Sequence, residues 1–230
     1  MGGYRLYDGF IVPRRDTDQM VIRRKEQARI AMEYLPHWVP EDRRRVCVEA
    51  GGNWGLWPLL LSDIFDTVYT FEPDHACFTG LVNNCRHKEN VVAFQAALGS
   101  EPELVNLSRE EDTTGNQYVS GKGIYPTFRI DDLGLDVCDL IYLDIEGCEL
   151  DALIGAQRTI GLCKPIVIFE VTKKLDPYNK VEGYMSRHGY YRWGSIGRDL
   201  VMGPFPFTGE AETTYYNWNE DRTALVETPK

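Results

Sequence analysis

The feature that most constrains this chain is the run Val46-Cys47-Val48-Glu49-Ala50-Gly51-Gly52-Asn53-Trp54-Gly55, followed at once by a helical pattern from Leu56 to Phe65. A short apolar strand ending in an acid, then a glycine-rich turn and a helix, is the opening unit of a doubly wound α/β sheet. Such a sheet binds its ligand where the strand ends. The turn itself narrows the ligand. A dinucleotide fingerprint needs glycine at the first, third and sixth positions. Counted from Gly51 those places hold Gly51, Asn53 and Leu56; counted from Gly52 they hold Gly52, Trp54 and Trp57. Both frames fail, which argues against a nicotinamide-dependent oxidoreductase. What remains is a turn that lets a ligand approach the backbone closely.

The rest of the chain reads as more of the same sheet. Residues 1–15 read as an irregular arm, and a helix begins at Asp16 with Val21, Ala28, Ala31, Met32 and Leu35 on one face. Its basic run Arg23-Arg24-Lys25 reads as a solvated face, and Pro36 and Pro40 end it. Further strands are expected at Thr67–Phe71, Val91–Gln95, Leu140–Asp144 and Pro165–Glu170, with helices at about 74–86, 149–160 and 178–188. Leu140 to Leu143 is continuously apolar, as a strand covered on both faces should be. Residues 100–130 read as irregular, with an antiparallel pair around Leu104–Leu107 and Thr127–Ile130. The polar, glycine-bearing segment Glu110 to Gly123 is a candidate active-site loop. Beyond Tyr190 late antiparallel strands and a loosely held tail are expected. The organisation is an N-terminal arm and helix (1–45), a domain over 46–208, and a tail or edge strand over 209–230.

Charge and cysteine content limit the partners. The formal charge of −10 argues against a nucleic-acid backbone as main partner. Residues 1–45 hold 10 of the 25 basic and 7 of the 35 acidic residues, leaving 15 basic against 28 acidic from 46 onward. The core is therefore acidic and its lead slightly basic. No apolar run approaches the roughly 20 residues that span a bilayer. The six cysteines form no CxxC pair, which favours a reduced, cytoplasmic protein over a disulfide framework or a zinc site.

Four expected strands end in an acid: Glu49, Glu72, Asp144 and Glu170. In a parallel sheet these ends share one edge, the edge where ligands bind. Glu72 closes the second strand, 23 residues after Glu49, where a carboxylate accepts hydrogen bonds from both hydroxyls of a ribose. In Asp144-Ile145-Glu146-Gly147-Cys148-Glu149, three carboxylates crowd around a glycine. Such crowding calls for a shared cation: a sulfonium, a divalent metal taking oxygen ligands, or a neighbouring Lys or Arg.

The run Glu49-Ala-Gly-Gly-Asn-Trp-Gly55 is joined by Phe71-Glu72-Pro73, Asn84, Ala97-Leu98-Gly99 and Thr127 with Asp131-Asp132-Leu133. With Asp144-Ile-Glu146-Gly147-Cys-Glu149 and Pro165-Ile-Val-Ile-Phe-Glu170, the set resembles the FkbM family of S-adenosylmethionine-dependent methyltransferases. The resemblance runs from about residue 46 to 170. It implies a Rossmann-like class I methyltransferase fold with a mostly parallel seven-stranded sheet, and methyl transfer to a hydroxyl oxygen on a sugar or related small molecule. It further implies cofactor contacts at Glu49, Gly51, Asn53, Gly55, Glu72, Ala96, Ala97 and Asp144. Asp144, Glu146 and Glu170 would do the chemistry, with Asp144 and Glu146 also able to hold a divalent metal. The family's first motif usually carries Asp where this chain has Glu49, and it often has Lys where this chain has Tyr142. The rival reading is a methyltransferase-like fold that binds, or serves as a structural subunit, without catalysis. Neither the acceptor nor the oligomeric state is written in the sequence.

Overall fold

A computed structural model describes residues 3–109, 117–171, 180–196, 198–207, 215–218 and 225–228. In chain order its strands and helices are β1 (Tyr4–Tyr7), β2 (Phe10–Pro13), α1 (Asp18–Trp38), β3 (Val46–Ala50), α2 (Leu56–Leu61) and β4 (Thr67–Phe71). Next come α3 (His75–Cys85), β5 (Val91–Phe94), β6 (Ala97–Leu98), β7 (Leu104–Arg109), β8 (Gln117–Phe128) and β9 (Leu140–Leu143). The last are α4 (Glu149–Ile154), α5 (Gln157–Cys163), β10 (Ile166–Glu170), α6 (Lys180–Arg187), β11 (Tyr191–Ile196), β12 (Asp199–Gly203), β13 (Tyr215–Trp218) and β14 (Leu225–Thr228).

The main sheet has seven strands in the order β11-β12-β10-β9-β3-β4-β5. The five from β10 to β5 run parallel, while β12 is antiparallel to both β10 and β11. Strand alternation sorts the apolar side chains onto two faces. Val48, Ala50, Phe71, Ile141, Leu143, Val167 and Phe169 meet α4, α5 and α6 on one side. Cys47, Val68, Leu140, Tyr142, Ile166 and Ile168 meet α1 and α2 on the other. Because both faces are covered, β9 and β10 are buried along their whole length. The chain leaves β3 toward β4 and later returns to pair β9 on the other side of β3, so the sheet's switch point lies between β3 and β9. The lower ends of these two strands are clamped by buried Asp139, which accepts from Arg45 N, Nε and Nη2 at 2.9, 2.9 and 2.6 Å. Burial pushes this carboxyl up, but the hydrogen bonds and charge of Arg45, with Arg43 behind, hold it below its ordinary value.

Several expectations need correcting. Residues 4–13 are not an irregular arm but a β-hairpin, β1 pairing β2 around Asp8-Gly9, both at positive φ. Pro36 does not end α1. It lies inside its last turn, and the helix closes when Val39 N–H donates to Leu35. The helix after β3 stops at Leu61, four residues short of Phe65. The helix expected over 149–160 is broken at Gly155-Ala156, and α5 begins afresh. A side chain on Gly155 would strike the Gly99 carbonyl, so the chain bends where it passes that loop. The irregular stretch 100–130 contains β7 paired antiparallel with a much longer β8, and β8 also pairs β6. Residues 117–123 of the supposed loop are thus strand, while 110–116 lie outside the described residues. The late strands β11 and β12 join the main sheet, and in the tail β13 pairs β14. Among the described residues no helix is long and apolar enough to cross a membrane.

The N-terminal segment packs into the domain. Val12, Val21 and Ala28 cluster with Trp54 and Leu56 of the glycine turn and α2. Asn84 of α3 accepts from Ile11 N–H at 2.8 Å and donates to the carbonyls of Ile11 and Trp54 at 2.9 and 2.6 Å. Gly80 lets β2 and Trp54 come this near, since an added Cβ would lie 3.1 Å from the Ile11 carbonyl.

Candidate active site

The glycine turn after β3 is shaped mainly by its protein neighbours. Gly51 and Gly52 both donate N–H to the Phe71 carbonyl at 3.1 Å, and Gly55 N–H donates to Gly52 at 2.7 Å. Gly51 sits at φ +96°, where a side chain would run into the Asp144 carbonyl oxygen. At Gly52 it would meet Leu81 and Thr70, and at Gly55 (φ +91°) the backbone of Leu81. The glycines therefore admit β9 and α3 as well as any ligand, which the spacing alone did not reveal. Asn53 takes a left-handed conformation at φ +48°, tolerable for Asn, and its Oδ1 accepts from Trp54 N–H at 2.9 Å.

Glu72 closes β4 beside this turn. Its Oε2 accepts the Asn53 N–H at 2.8 Å and its Oε1 the Asp74 N–H at 2.7 Å. Each oxygen keeps a lone pair for a further donor. Burial, only partly offset by these hydrogen bonds and the charge of Arg15, pushes the Glu72 carboxyl up to about 7. Glu49 lies beneath the turn, 1 % exposed, and accepts from the Thr70 hydroxyl. Burial raises it to about 8, with the charges of Glu72 and Asp144 adding to the rise. Ala96 and Ala97 follow β5 and are buried, Ala97 within β6.

The turn after β9 carries the second half of the site. Glu146 and Gly147 are consecutive left-handed residues at φ +51° and +100°. Only Gly adopts that region freely, so Glu146 stores backbone strain of about 1–3 kcal/mol, a mark of functional turns. Glu149 ties the turn together by accepting from Ile145 N–H at 3.2 Å and Gly147 N–H at 3.0 Å. Its part is structural. Asp144, Glu146 and Glu170 each bring a carboxylate oxygen to within 4.8 Å of the others. Asp144 and Glu170 share a hydrogen bond, which between two carboxyl groups needs one proton. Burial, then the charge of Asp144, pushes Glu170 up, so the pair keeps one proton between them. Burial and Asp144 also raise Glu146 to about 7.

The charges that steady this cluster were not singled out from sequence. Arg198, in the turn before β12, lies 2.5 Å from Glu170 Oε1. Arg24 of α1 pairs with buried Asp16 at 2.6 Å, and its charge also reaches Asp144 and Glu146. Arg24 is thus no part of a solvated face. Tyr142, standing where the family often has Lys, donates its hydroxyl to Asp199. Trp193 is packed against Trp38 and Phe207 with ring centroids 6.4 and 5.1 Å away. Tyr215, Tyr216 and Trp218 belong to β13, which pairs with β14.

The site thus has a glycine turn, a buried carboxylate offering two lone pairs, and three gathered carboxyl groups, all at one edge of the sheet. A family model described as the methyltransferase FkbM domain matches residues 49–191. The chain belongs to the FkbM methyltransferase family. S-adenosylmethionine is the methyl donor of that family. Among solved structures the chain is similar to an FkbM methyltransferase from Methylobacillus flagellatus, with 22 % identity and a TM-score of 0.51 over 70 % of this chain and 43 % of that one. It thus spans less than half of that protein. A ribosomal protein L11 methylase from Lactobacillus delbrueckii matches at 11 % identity and a TM-score of 0.47, over 77 % of this chain and 76 % of that one. A precorrin-6y C5,15-methyltransferase from Geobacter metallireducens matches at 12 % and 0.45, over 85 % and 92 %. No curated protein matches the sequence. At these identities the likeness is one of fold.

Proposed function

We propose that this chain binds S-adenosylmethionine over the carboxyl ends of β3 and β4 and methylates a hydroxyl oxygen of a small molecule or glycan. One observation carries the reading: the glycine turn, Glu72 and the Asp144–Glu146–Glu170 cluster converge on one sheet edge. The donor set suits this cofactor. Glu72 has acceptor capacity left for two ribose hydroxyls, and an under-compensated acidic cluster suits a cation. Gly51, Asn53 and Gly55 border the amino-acid end, Ala96 and Ala97 the adenine, and Glu49 supports the turn from below. When bound, the cofactor supplies an activated methyl group. The protein's part is to align the acceptor and take its proton. Glu146, on the strained turn, acts in this reading as the base that accepts the hydroxyl proton. Asp144 and Glu170, sharing one proton, leave one negative charge in the pair to face the donor. Alignment of two bound partners supplies several kcal/mol of the barrier. Six free cysteines, four of them buried, support a reducing, cytoplasmic setting.

Calorimetry with S-adenosylmethionine tests the binding. Mass spectrometry of extracts treated with the protein then looks for an acceptor gaining one CH₂. Tight binding without transfer to any acceptor would favour a non-catalytic binding protein instead. A second reading is favoured by the 4.8 Å grouping: Asp144, Glu146 and Glu170 offer hard oxygen ligands that suit a divalent ion such as magnesium or manganese. Turnover abolished by a chelator and restored by manganese would establish it. Turnover indifferent to chelation would leave proton removal to Glu146 alone.

A further inference from the structure

Residues ahead of position 49 lie outside the family match, yet one of their side chains reaches the turn that carries Glu72. Arg15 follows β2, and its Nη2 lies 2.8 Å from Asp74 Oδ1, with the two side chains only 16 % and 5 % exposed. The same Nη2 is 3.5 Å from Cys77 Sγ. Asp74 donates its own N–H to Glu72 Oε1, and its Oδ1 caps α3 by accepting from Cys77 N–H at 3.0 Å. Arg15 is delivered there by the docking of β2 on α3 through Ile11 and Asn84.

We propose that Arg15 is a positioning residue of the cofactor site: through Asp74 it holds the Glu72 carboxylate in place for the ribose hydroxyls. The inference rests on the S-adenosylmethionine reading above. Two hydroxyl donors need an ionised acceptor, because a protonated carboxyl turns one acceptor into a donor. Glu72 is 7 % exposed, and burial works against its ionisation. Four groups face it. Asp74 on its own turn raises its pKa by charge, and Arg15 from the N-terminal segment lowers it. Glu49 of β3 couples to it, and Cys77 of α3 is held neutral because burial pushes that thiol well up. Arg15 is the cation of the set. Affinity that needs ionised Glu72 is present above its pKa of about 7 and is lost as pH falls through it.

The test titrates S-adenosylhomocysteine into the full chain by calorimetry across that pH range. This probe lacks the sulfonium, so ribose contacts weigh more. The native protein should lose affinity by about tenfold per pH unit below the midpoint. Arg15→Met should move the midpoint up and weaken binding near neutrality about fivefold to tenfold. Arg15→Lys, keeping the charge, should restore most of it. Asp74→Asn, which can still cap α3, should move the midpoint down. Opposite shifts support the proposal, since mere structural damage would move both variants the same way. Unmoved or parallel midpoints in a native protein that binds the probe would overturn the role of Arg15 alone. No binding by the native protein at any pH would overturn the cofactor reading and this inference with it. If circular dichroism shows Arg15→Met unfolded, the Arg15→Lys and Asp74→Asn midpoints decide: Lys near native with Asn lowered supports the role, and an unmoved Asn variant overturns it.

Discussion

Individual residues of the motif that marks the family are tied into the fold. Asn84, Thr127 and Asp131 belong to the pattern that marks the family, yet each has a structural task. Asn84 bridges β2 and the glycine turn. The Thr127 hydroxyl donates to Glu101 and accepts from Glu103 N–H at 2.7 and 2.8 Å. Asp131 caps α5 from outside it, accepting from Arg158 and Thr159 N–H, both at 2.8 Å. Gly51 is the same kind of residue. At φ +96° against the Asp144 carbonyl, Gly51→Ala should destabilise the fold by about 2–4 kcal/mol, measured by urea denaturation. A loss within about 0.5 kcal/mol would show that the turn can move aside. Asp144 belongs to the carboxylate cluster proposed to carry the chemistry. Asp144→Asn should lower turnover by about a hundredfold or more while S-adenosylmethionine affinity stays within a few-fold. Near-native turnover would remove Asp144 from the chemistry.

At the scale of elements, the segments that hydrophobic periodicity could identify were the ones buried on both faces. β3, β4, β9 and β10 were legible because continuous apolar runs bounded by polar turns have few other homes. The β1–β2 hairpin was missed because its strands are four residues each and only half-buried. Its stability comes from α3 and Trp54, which are distant in sequence. The break between α4 and α5 was missed for a similar reason, because Gly155 is bent by its contact with Gly99. Asn84→Ala tests how firmly the hairpin is held. Removing three hydrogen bonds should cost about 2–3 kcal/mol and raise amide exchange across residues 4–13. Unchanged exchange there would mean that the apolar contacts of Phe10 and Val12 suffice.

For the whole molecule, the gathered acids shape the dependence of stability on pH. Burial holds Glu49 at about 8 and Glu72 at about 7. Burial, then the charge of Asp144, holds Asp199 at about 7. Each value is raised above that of the unfolded chain. Such groups stabilise the fold fully below their unfolded pKa, and the contribution is lost as pH rises through the folded value. The ligand-free protein should therefore melt at a lower temperature at pH 9 than at pH 6, by scanning calorimetry. A bound cation should offset that loss by favouring the ionised cluster. A melting temperature that climbs steadily from pH 6 to pH 9 would contradict the arrangement of these carboxyls.

The sequence by itself determined the parallel core, the acid at the end of each central strand and the family pattern. All three are carried by residue type and local spacing, which apolar burial and backbone geometry translate directly into structure. Only the tertiary structure decided what each acid touches. Glu49 lies under the turn with Thr70, Glu149 knots its own loop, and Glu170 shares a proton with Asp144. Arg15, Arg24 and Arg198 supply the positive charge from segments far along the chain. A buried carboxylate takes whichever donor packing brings within hydrogen-bond reach, and no spacing in the sequence encodes that partner.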